Sequence, residues 1–442
     1  MKIFNSLFDN YSIFDNKKAK VYCCGPTVYD NIHIGNARPI ITTDVLVRFL
    51  EFLEVEVDYL QNITDIDDKI ISKAKAENKK ESEITDRYID DYLRDLKNLN
   101  IRKPNKIIPI SEKMNSIIDY IEEMVDKGIA YESNGDVYFD VQGIKKYGEL
   151  SNRKIEELIS GARVEINQNK KNPLDFTLWK KTSEGQFWVT TWSSGRPGWH
   201  TECVALIKEY FNSQIDFHIG GIDLKFPHHE NERAQFLGTD RKELSKIWVH
   251  NGHLEFNKQK MSKSIGNMIL VNDFINQNDA NTLRYLLLTT HYKQPLDFSE
   301  DLVGQSKKAI LKIDNLIKKV QLKIALKEIT KTTERELDEN YNIINYLKKF
   351  TEIMEDDLNT PVVITLIESM VKEINKQADS KKVNGVIDDL ITILQVLGFD
   401  FEMKEFDNET IKQIHNWKEL LEQKKYEEAD KIREALVKKK II

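Results

Sequence analysis

Residues 19–24 form a short apolar run, 25–35 a loop punctuated by Gly25 and Gly35, and beyond it apolar positions recur at Val45, Leu46, Phe49, Leu50 and Leu53. An apolar run of that length suits a buried strand, and recurrence every three or four residues suits a helix. Residues 55–60 then alternate as a second strand. Strand, glycine loop, helix and strand open a nucleotide-binding βαβ unit, whose ligand sits beyond the strand's carboxyl end and against the helix N-terminus. This order constrains the N-terminal part to a parallel α/β sheet, and it is too common to single out a ligand.

The same pattern returns at 215–219, a buried strand followed by the Gly220-Gly221 turn and a helix beginning within 228–237. Residues 114–199 are irregular between the two, with short helices, a hairpin around 135–141 and tryptophans at Trp179, Trp188, Trp192 and Trp199. This stretch reads as an insertion that splits one sheet. Beyond Gly304 the strand signals fade, and Ile310, Ile313, Ile317, Val320 and Ile324 recur at helical spacing with lysines between them. Thr360-Pro361 predicts a helix start, with threonine capping the first amides and proline at the first helical position.

At 442 residues the chain is long enough for two to four domains. No stretch reaches the roughly 18 consecutive apolar residues of a membrane span, and residues 1–10 lack the pattern of a secretion signal, so a cytoplasmic location is expected. Cys23, Cys24 and Cys203 are too few for a disulfide framework, which leaves each as a thiol, a metal ligand or a core residue. The net charge of -7 argues against a surface that grips nucleic acid all round, while a local basic face stays open.

His33-Ile34-Gly35-Asn36 lies where the first loop enters its helix, so backbone amides and the helix dipole point at any bound phosphate and Gly35 admits a close approach. Taken alone, a histidine there more often caps the helix or packs in the loop. Lys260-Met261-Ser262-Lys263-Ser264 follows a hairpin pattern and places two ammonium groups on a short serine-containing loop that could reach a triphosphate. Most such clusters are solvated basic turns.

Together the two segments resemble the paired HIGH and KMSKS signatures of class I aminoacyl-tRNA synthetases. Five further stretches narrow the resemblance to the cysteinyl-tRNA synthetases: Tyr22 to Asp30, Asn62 to Lys69, Gly195 to His200, Phe226 to Glu232 and Asp357 to Pro361. The resemblance runs from Lys2 to the C-terminus. It implies an α/β chain with a Rossmann-like parallel-sheet catalytic domain at 1–113 and 197–245, and an inserted connective domain at 114–196. A stem-contact region with the KMSKS loop follows at 246–305, and a helical anticodon-binding bundle at 306–442.

The resemblance also implies a Zn2+ site on Cys24, Cys203, His228 and Glu232. His228 and Glu232 are four apart, which on one helix face is usually a surface pair. His229 is not a ligand at the matching family position, and Cys24 is preferred to Cys23, whose place is normally apolar. Zinc suits selection of cysteine against serine, because a pocket rejects a near-isostere by only about a hundredfold whereas zinc strongly prefers a thiolate. Thr64 and Trp199 match positions lining the amino-acid pocket, although a tryptophan is as readily core. His33, Lys260 and Lys263 are expected to serve the ATP phosphates with Mg2+. Gly35, Asn36, Gly221 and Asp223 are expected to hold the nucleotide, Asn36 standing where the fullest motif has histidine.

The implied partners are ATP, L-cysteine and tRNA(Cys), the implied state a monomer, and Tyr426, Asp430 and Arg433 the expected anticodon contacts. Tyr426 serves equally well in helix packing. The family usually continues with a short segment beyond the position of Ile442. Two other readings compete: a ligase that passes activated cysteine to an amino sugar, disfavoured by the long helical region, and a non-catalytic paralogue, disfavoured by intact signatures.

Overall fold

Alternation along the first long strand decides what each face of the sheet carries. The computed structural model describes residues 1–152, 168–256, 259–260, 268–332, 345–379, 382–439 and 441. They fall into two compact units, one comprising Met1–Gln277 and Tyr292–Phe298, the other Asn278–His291 and Ser299–Ile442.

The first unit opens with a hairpin, β1 (Lys2–Asn5) and β2 (Asn10–Ile13), followed by β3 (Lys18–Cys23), α1 (Ile34–Phe52), β4 (Glu56–Ile63), α2 (Asp68–Glu77), α3 (Glu81–Asn98) and β5 (Lys106–Pro109). After the insertion come α5 (Trp199–Phe211), β11 (Ile215–Gly221), α6 (Glu230–Asp240) and β12 (Ser245–Asn251). All pairs of the central sheet are parallel, in the order β12-β11-β3-β4-β5. The chain runs outward from β3 to β5, then returns to β3's other side at β11. That reversal is a switch point, and it opens a crevice at the carboxyl ends of β3 and β11.

Tyr22 and Cys23 point to opposite faces by strand alternation. Tyr22, Leu60, Ile215 and Trp248 join the core shared with α5, α6 and α4 (Met114–Asp126). Cys23 faces Thr43 of α1 and Tyr59 of β4. α1 is buried on nearly all sides, from Ile34 through Leu50, as befits a helix enclosed in the unit.

The insertion is an antiparallel sheet, β6-β7-β8-β10-β9, built from β6 (Ala130–Ser133), β7 (Asp136–Phe139), β8 (Phe176–Lys181), β9 (Trp188–Val189) and β10 (Ser194–Pro197). Its first hairpin turns at Asn134-Gly135, both at positive φ, of 56° and 90°. The expected hairpin at 135–141 is therefore shifted: Asn-Gly is the two-residue turn, and the first strand precedes it.

Two further boundaries differ from expectation. Residues 246–251 lie in β12, the outer strand of the parallel sheet, rather than in a separate region beginning at 246. The break expected between 305 and 306 falls inside one continuous helix, α9 (Glu300–Ala325). Between them β13 (Leu254–Phe256) pairs with β14 (Gln259–Lys260) and β15 (Leu296–Phe298), and α7 (Val271–Gln277) lies between β14 and β15 in the chain.

The second unit contains α8 (Ala280–Leu288), α9, α10 (Tyr346–Glu355), α11 (Thr360–Ala378), α12 (Val386–Val396), α13 (Asn408–Glu422) and α14 (Tyr426–Lys438). In α9 the buried positions Ile310, Ile313, Ile317 and Val320 follow the helical period. Thr360 does not cap α11: its hydroxyl donates to Leu288 O at 2.9 Å, and Asn359 holds the cap position. Pro361 stands in the first turn as expected.

Candidate active site and metal centre

The loops after β3 and β11 face each other across the switch point and enclose a pocket of about 420 Å³. Cys24, His33, Gly35 and Asn36 line one side, Gly221 and Asp223 the other, and Trp199 stands at the wall. At the start of α1, Asn36 N donates to His33 Nδ1 at 3.2 Å, and His33 N donates to Asn36 Oδ1 at 3.1 Å. His33 thus caps the helix and lines the pocket at once. A Cβ at Gly35 would press against the His33 ring, so glycine permits the fold-back. The positive end of α1 faces the pocket, a setting for anionic oxygens. Lys260 ends strand β14, whereas Lys263 lies outside the described residues.

Cys24, Cys203, His228 and Glu232 meet behind this pocket, their donor atoms within 4.8 Å of one another. His228 Nε2 is 2.8 Å from Glu232 Oε1 and 3.7 Å from Cys203 Sγ. Strand alternation explains why Cys24 and not Cys23 arrives here: Cys24 shares the Tyr22 face. Cys23 is buried beside Thr43 and Tyr59, and burial pushes its thiol up to about 11. His228 precedes α6, which begins at Glu230. As expected, the helical stretch runs through 228: His228 and His229 form the end of a π-helical turn, Lys225–His229, that continues into α6, and the one extended residue, Phe226, lies before them.

A second set of donors, Cys24, His218, His229 and Glu232, overlaps the first. His218 Nε2 stands 2.6 Å from Glu232 Oε2, and His229 Nε2 3.4 Å from Cys24 Sγ. On their far sides, His200 Nδ1 meets His228 Nδ1 at 2.9 Å and His250 Nε2 meets His229 Nδ1 at 2.9 Å. Burial favours a neutral Glu232, but His218 and His228 override it and hold the carboxyl well below its usual range. Burial opposes charge on His228 too, yet Glu232 and Cys203 push it up to about 10. Burial and the neighbouring His228 lower His200 to about 3. The bond from Cys24 lowers the Cys203 thiol, while burial raises Cys24. Two sulfurs, an imidazole and an anionic carboxylate, with positive charge drawn toward them, fit a soft divalent cation.

Thr64 is buried beside the cluster and donates to Glu202 Oε2 at 3.2 Å. Trp199 is not core: it is 41% exposed and stacks on His228 with centroids 4.1 Å apart.

A family model described as tRNA synthetases class I (C) catalytic domain matches residues 10–308, and a DALR domain model matches 349–402. The protein named cysteine–tRNA ligase of Mycoplasma mycoides subsp. mycoides SC is 51% identical over 100% of both chains. The chain belongs to the cysteinyl-tRNA synthetase family. A relative of the same name in Clostridioides difficile is 37% identical over 99% of this chain and 96% of its own. The solved Mycobacterium tuberculosis methionyl-tRNA synthetase in complex with methionyl-adenylate shares the fold, with TM-score 0.64 and 15% identity over 86% of this chain and 89% of that one.

Within this cysteinyl-tRNA synthetase family member, Tyr426, Asp430 and Arg433 lie on α14 of the helical unit, all exposed, Tyr426 by 59%. Sequence reasoning passed over His218 and His250. Each sits inside an apolar strand, β11 or β12, and a lone histidine at a fully buried strand position was the available signal.

Proposed function

We propose that the chain is a cysteine–tRNA ligase that activates L-cysteine with ATP and transfers it to the 3′ end of tRNA(Cys). The observation that carries this reading is the end-to-end identity with relatives of that name, coinciding with a pocket backed by four metal-type donors, three of them buried. In the first step the cysteine carboxylate attacks the α-phosphorus of ATP in line, the bond to the β-phosphate oxygen breaks, and pyrophosphate leaves. In the second a ribose hydroxyl of the terminal adenosine attacks the acyl carbon and AMP leaves. No protein nucleophile is needed, so positioning and charge stabilisation carry the catalysis.

His33, Gly35 and Asn36 present the helix start to the phosphates, with Lys260 and Lys263 supplying cationic charge from the later loop and Mg2+ accompanying the triphosphate. Gly221 and Asp223 hold the adenosine. Thr64 and Trp199 bound the cysteine site. Cys24, Cys203, His228 and Glu232 would hold Zn2+, which when bound favours a thiolate over a hydroxyl and so supplies selection against serine. We assign tRNA recognition to the helical region from 306, with Tyr426, Asp430 and Arg433 toward the anticodon, and activation to the sheet and its insertion at 114–196. The chain acts as a monomer in the cytoplasm.

A ligase that uses an amino sugar as acceptor would share the activation pocket; the DALR-type helical match favours tRNA instead. ATP–pyrophosphate exchange with cysteine or serine, before and after zinc removal, followed by charging of total tRNA, tests the reading. Cysteine-dependent, zinc-dependent exchange with charging is expected. Exchange without charging would point to the other acceptor, and no exchange in metal-replete protein would overturn the assignment.

A further inference from the structure

The cysteine pocket and the metal cluster are built from different strands, and one buried side chain joins them. Asn62, the penultimate residue of β4, is 1% exposed. Its Oδ1 accepts from Gly25 N at 2.8 Å and from Tyr22 Oη at 2.9 Å. A backbone N–H can only donate, so the atom facing Gly25 is the amide oxygen and Nδ2 is turned the other way. Nδ2 donates to Thr64 Oγ1 at 3.2 Å, and Thr64 in turn donates to Glu202 Oε2 on α5, the residue before Cys203.

Gly25 follows Cys24 directly, so the bond at Gly25 N fixes the peptide that carries the first metal-type sulfur. Contact is close: a Cβ at Gly25 would collide with the Asn62 carbonyl. Two backbone bonds flank it, Thr64 N to Pro26 O and Val28 N to Thr64 O, each 3.1 Å. The loop after β3 is therefore strapped to β4, and within the strap Asn62 is the side chain that grips both the Cys24 peptide and the Thr64 hydroxyl.

We infer that Asn62 is a positioning residue for cysteine selection, its oxygen setting the Cys24 loop for the metal and its nitrogen setting Thr64 for the amino acid. This rests on the proposed cysteine and zinc sites. Asparagine alone among small side chains offers both an acceptor and a donor at this reach. Aspartate keeps the acceptor arm and loses the donor arm.

The test compares Asn62→Ala, Asn62→Asp and the volume-conserving Tyr22→Phe with the parent holoenzyme. Pyrophosphate exchange gives KM for cysteine and for ATP, and zinc release to a chromogenic chelator gives metal retention independently of activity. For Asn62→Ala, KM for cysteine rises at least tenfold, the cysteine-to-serine ratio falls, zinc is released faster, and KM for ATP stays within about twofold. Asn62→Asp restores zinc retention and leaves cysteine KM high. If alanine at 62 does not fold, the aspartate variant and Tyr22→Phe, expected to speed zinc release alone, decide the matter. Parental values throughout, or equal losses for cysteine and ATP with normal zinc retention, would overturn the inference. A parent without cysteine-dependent exchange would instead overturn the proposed function.

Discussion

Glu232 uses both ends of its carboxylate in the cluster, Oε1 toward His228 and Oε2 toward His218. Its negative charge is what the two buried imidazoles stabilise, and amide substitution keeps the shape while removing the charge. Glu232→Gln is expected to weaken zinc binding by at least tenfold in a chelator competition, with the fold retained by circular dichroism. A carboxyl elsewhere obeys the opposite balance. Asp95 on α3 is buried, and that burial, reinforced by Asp91 and opposed by Arg94, pushes it up to about 6. The folded pKa exceeds the unfolded value of about 3.9, so the fold prefers the proton and loses stability as pH rises from about 4 through 6. Asp95→Asn should raise the urea midpoint at pH 7.5 and leave it unchanged near pH 4; an equal gain at both would refute the titration. At this scale the cysteines show what a sequence reveals. Cys24 over Cys23 was legible through resemblance, and alternation along β3 supplies the physical reason. His218 and His250 were hidden because an apolar strand gives no spacing from which to read a partner 14 or 21 residues away in the chain.

Among the elements, α1 ties the pocket together. Ile34 N donates to Ile269 O and Val271 N to Ile32 O, each at 3.0 Å. Arg38 Nη1 reaches the carbonyls of Gly252 and His253 at 2.8 and 3.2 Å, and Thr42 Oγ1 meets Asn251 Oδ1 at 2.6 Å. Described residues on both sides of the lysine-bearing segment 260–264 are thus fastened to the signature helix and the residues just before it. Gly252 and His253 also line the pocket. Arg38→Met keeps much of the volume and strands two carbonyls, a cost of about 1–3 kcal/mol each when buried. The expected outcome is a roughly tenfold lower kcat/KM for ATP with cysteine KM little changed, read by exchange at varied ATP; a change confined to cysteine would contradict it. Helix α1 and strands β3, β4 and β11 were legible because a period of 3.6 or an apolar run depends on residues close in sequence. The insertion hairpin lies a few residues earlier than the expected 135–141 because the Asn134-Gly135 pair forms its turn, so one strand precedes Gly135. The edge of the sheet at β12 was cut short because burial of an outer strand is decided by partners distant in the chain.

At the scale of the whole molecule, activation and tRNA recognition are assigned to different parts of one chain, and net charge gave no sign of the second. An overall charge of -7 is compatible with RNA binding because recognition of a single-stranded loop needs a few stacking and hydrogen-bonding groups rather than a basic envelope. Tyr426 offers such a group. It is 59% exposed at the start of α14, while Ala429 and Leu436 of that helix are buried, so its ring is not committed to the helical core. Loss of one base–aromatic stack costs about 1–3 kcal/mol, or roughly five- to 150-fold in affinity. Tyr426→Ala should therefore leave cysteine-dependent pyrophosphate exchange at the parental rate, since that reaction needs no tRNA, and raise KM for tRNA(Cys) in charging by about tenfold. Charging at the parental KM would remove Tyr426 from the RNA interface. Equal loss of exchange and charging would mean that the substitution acts on the fold, a result that a thermal melt of the variant would separate from a local effect on RNA.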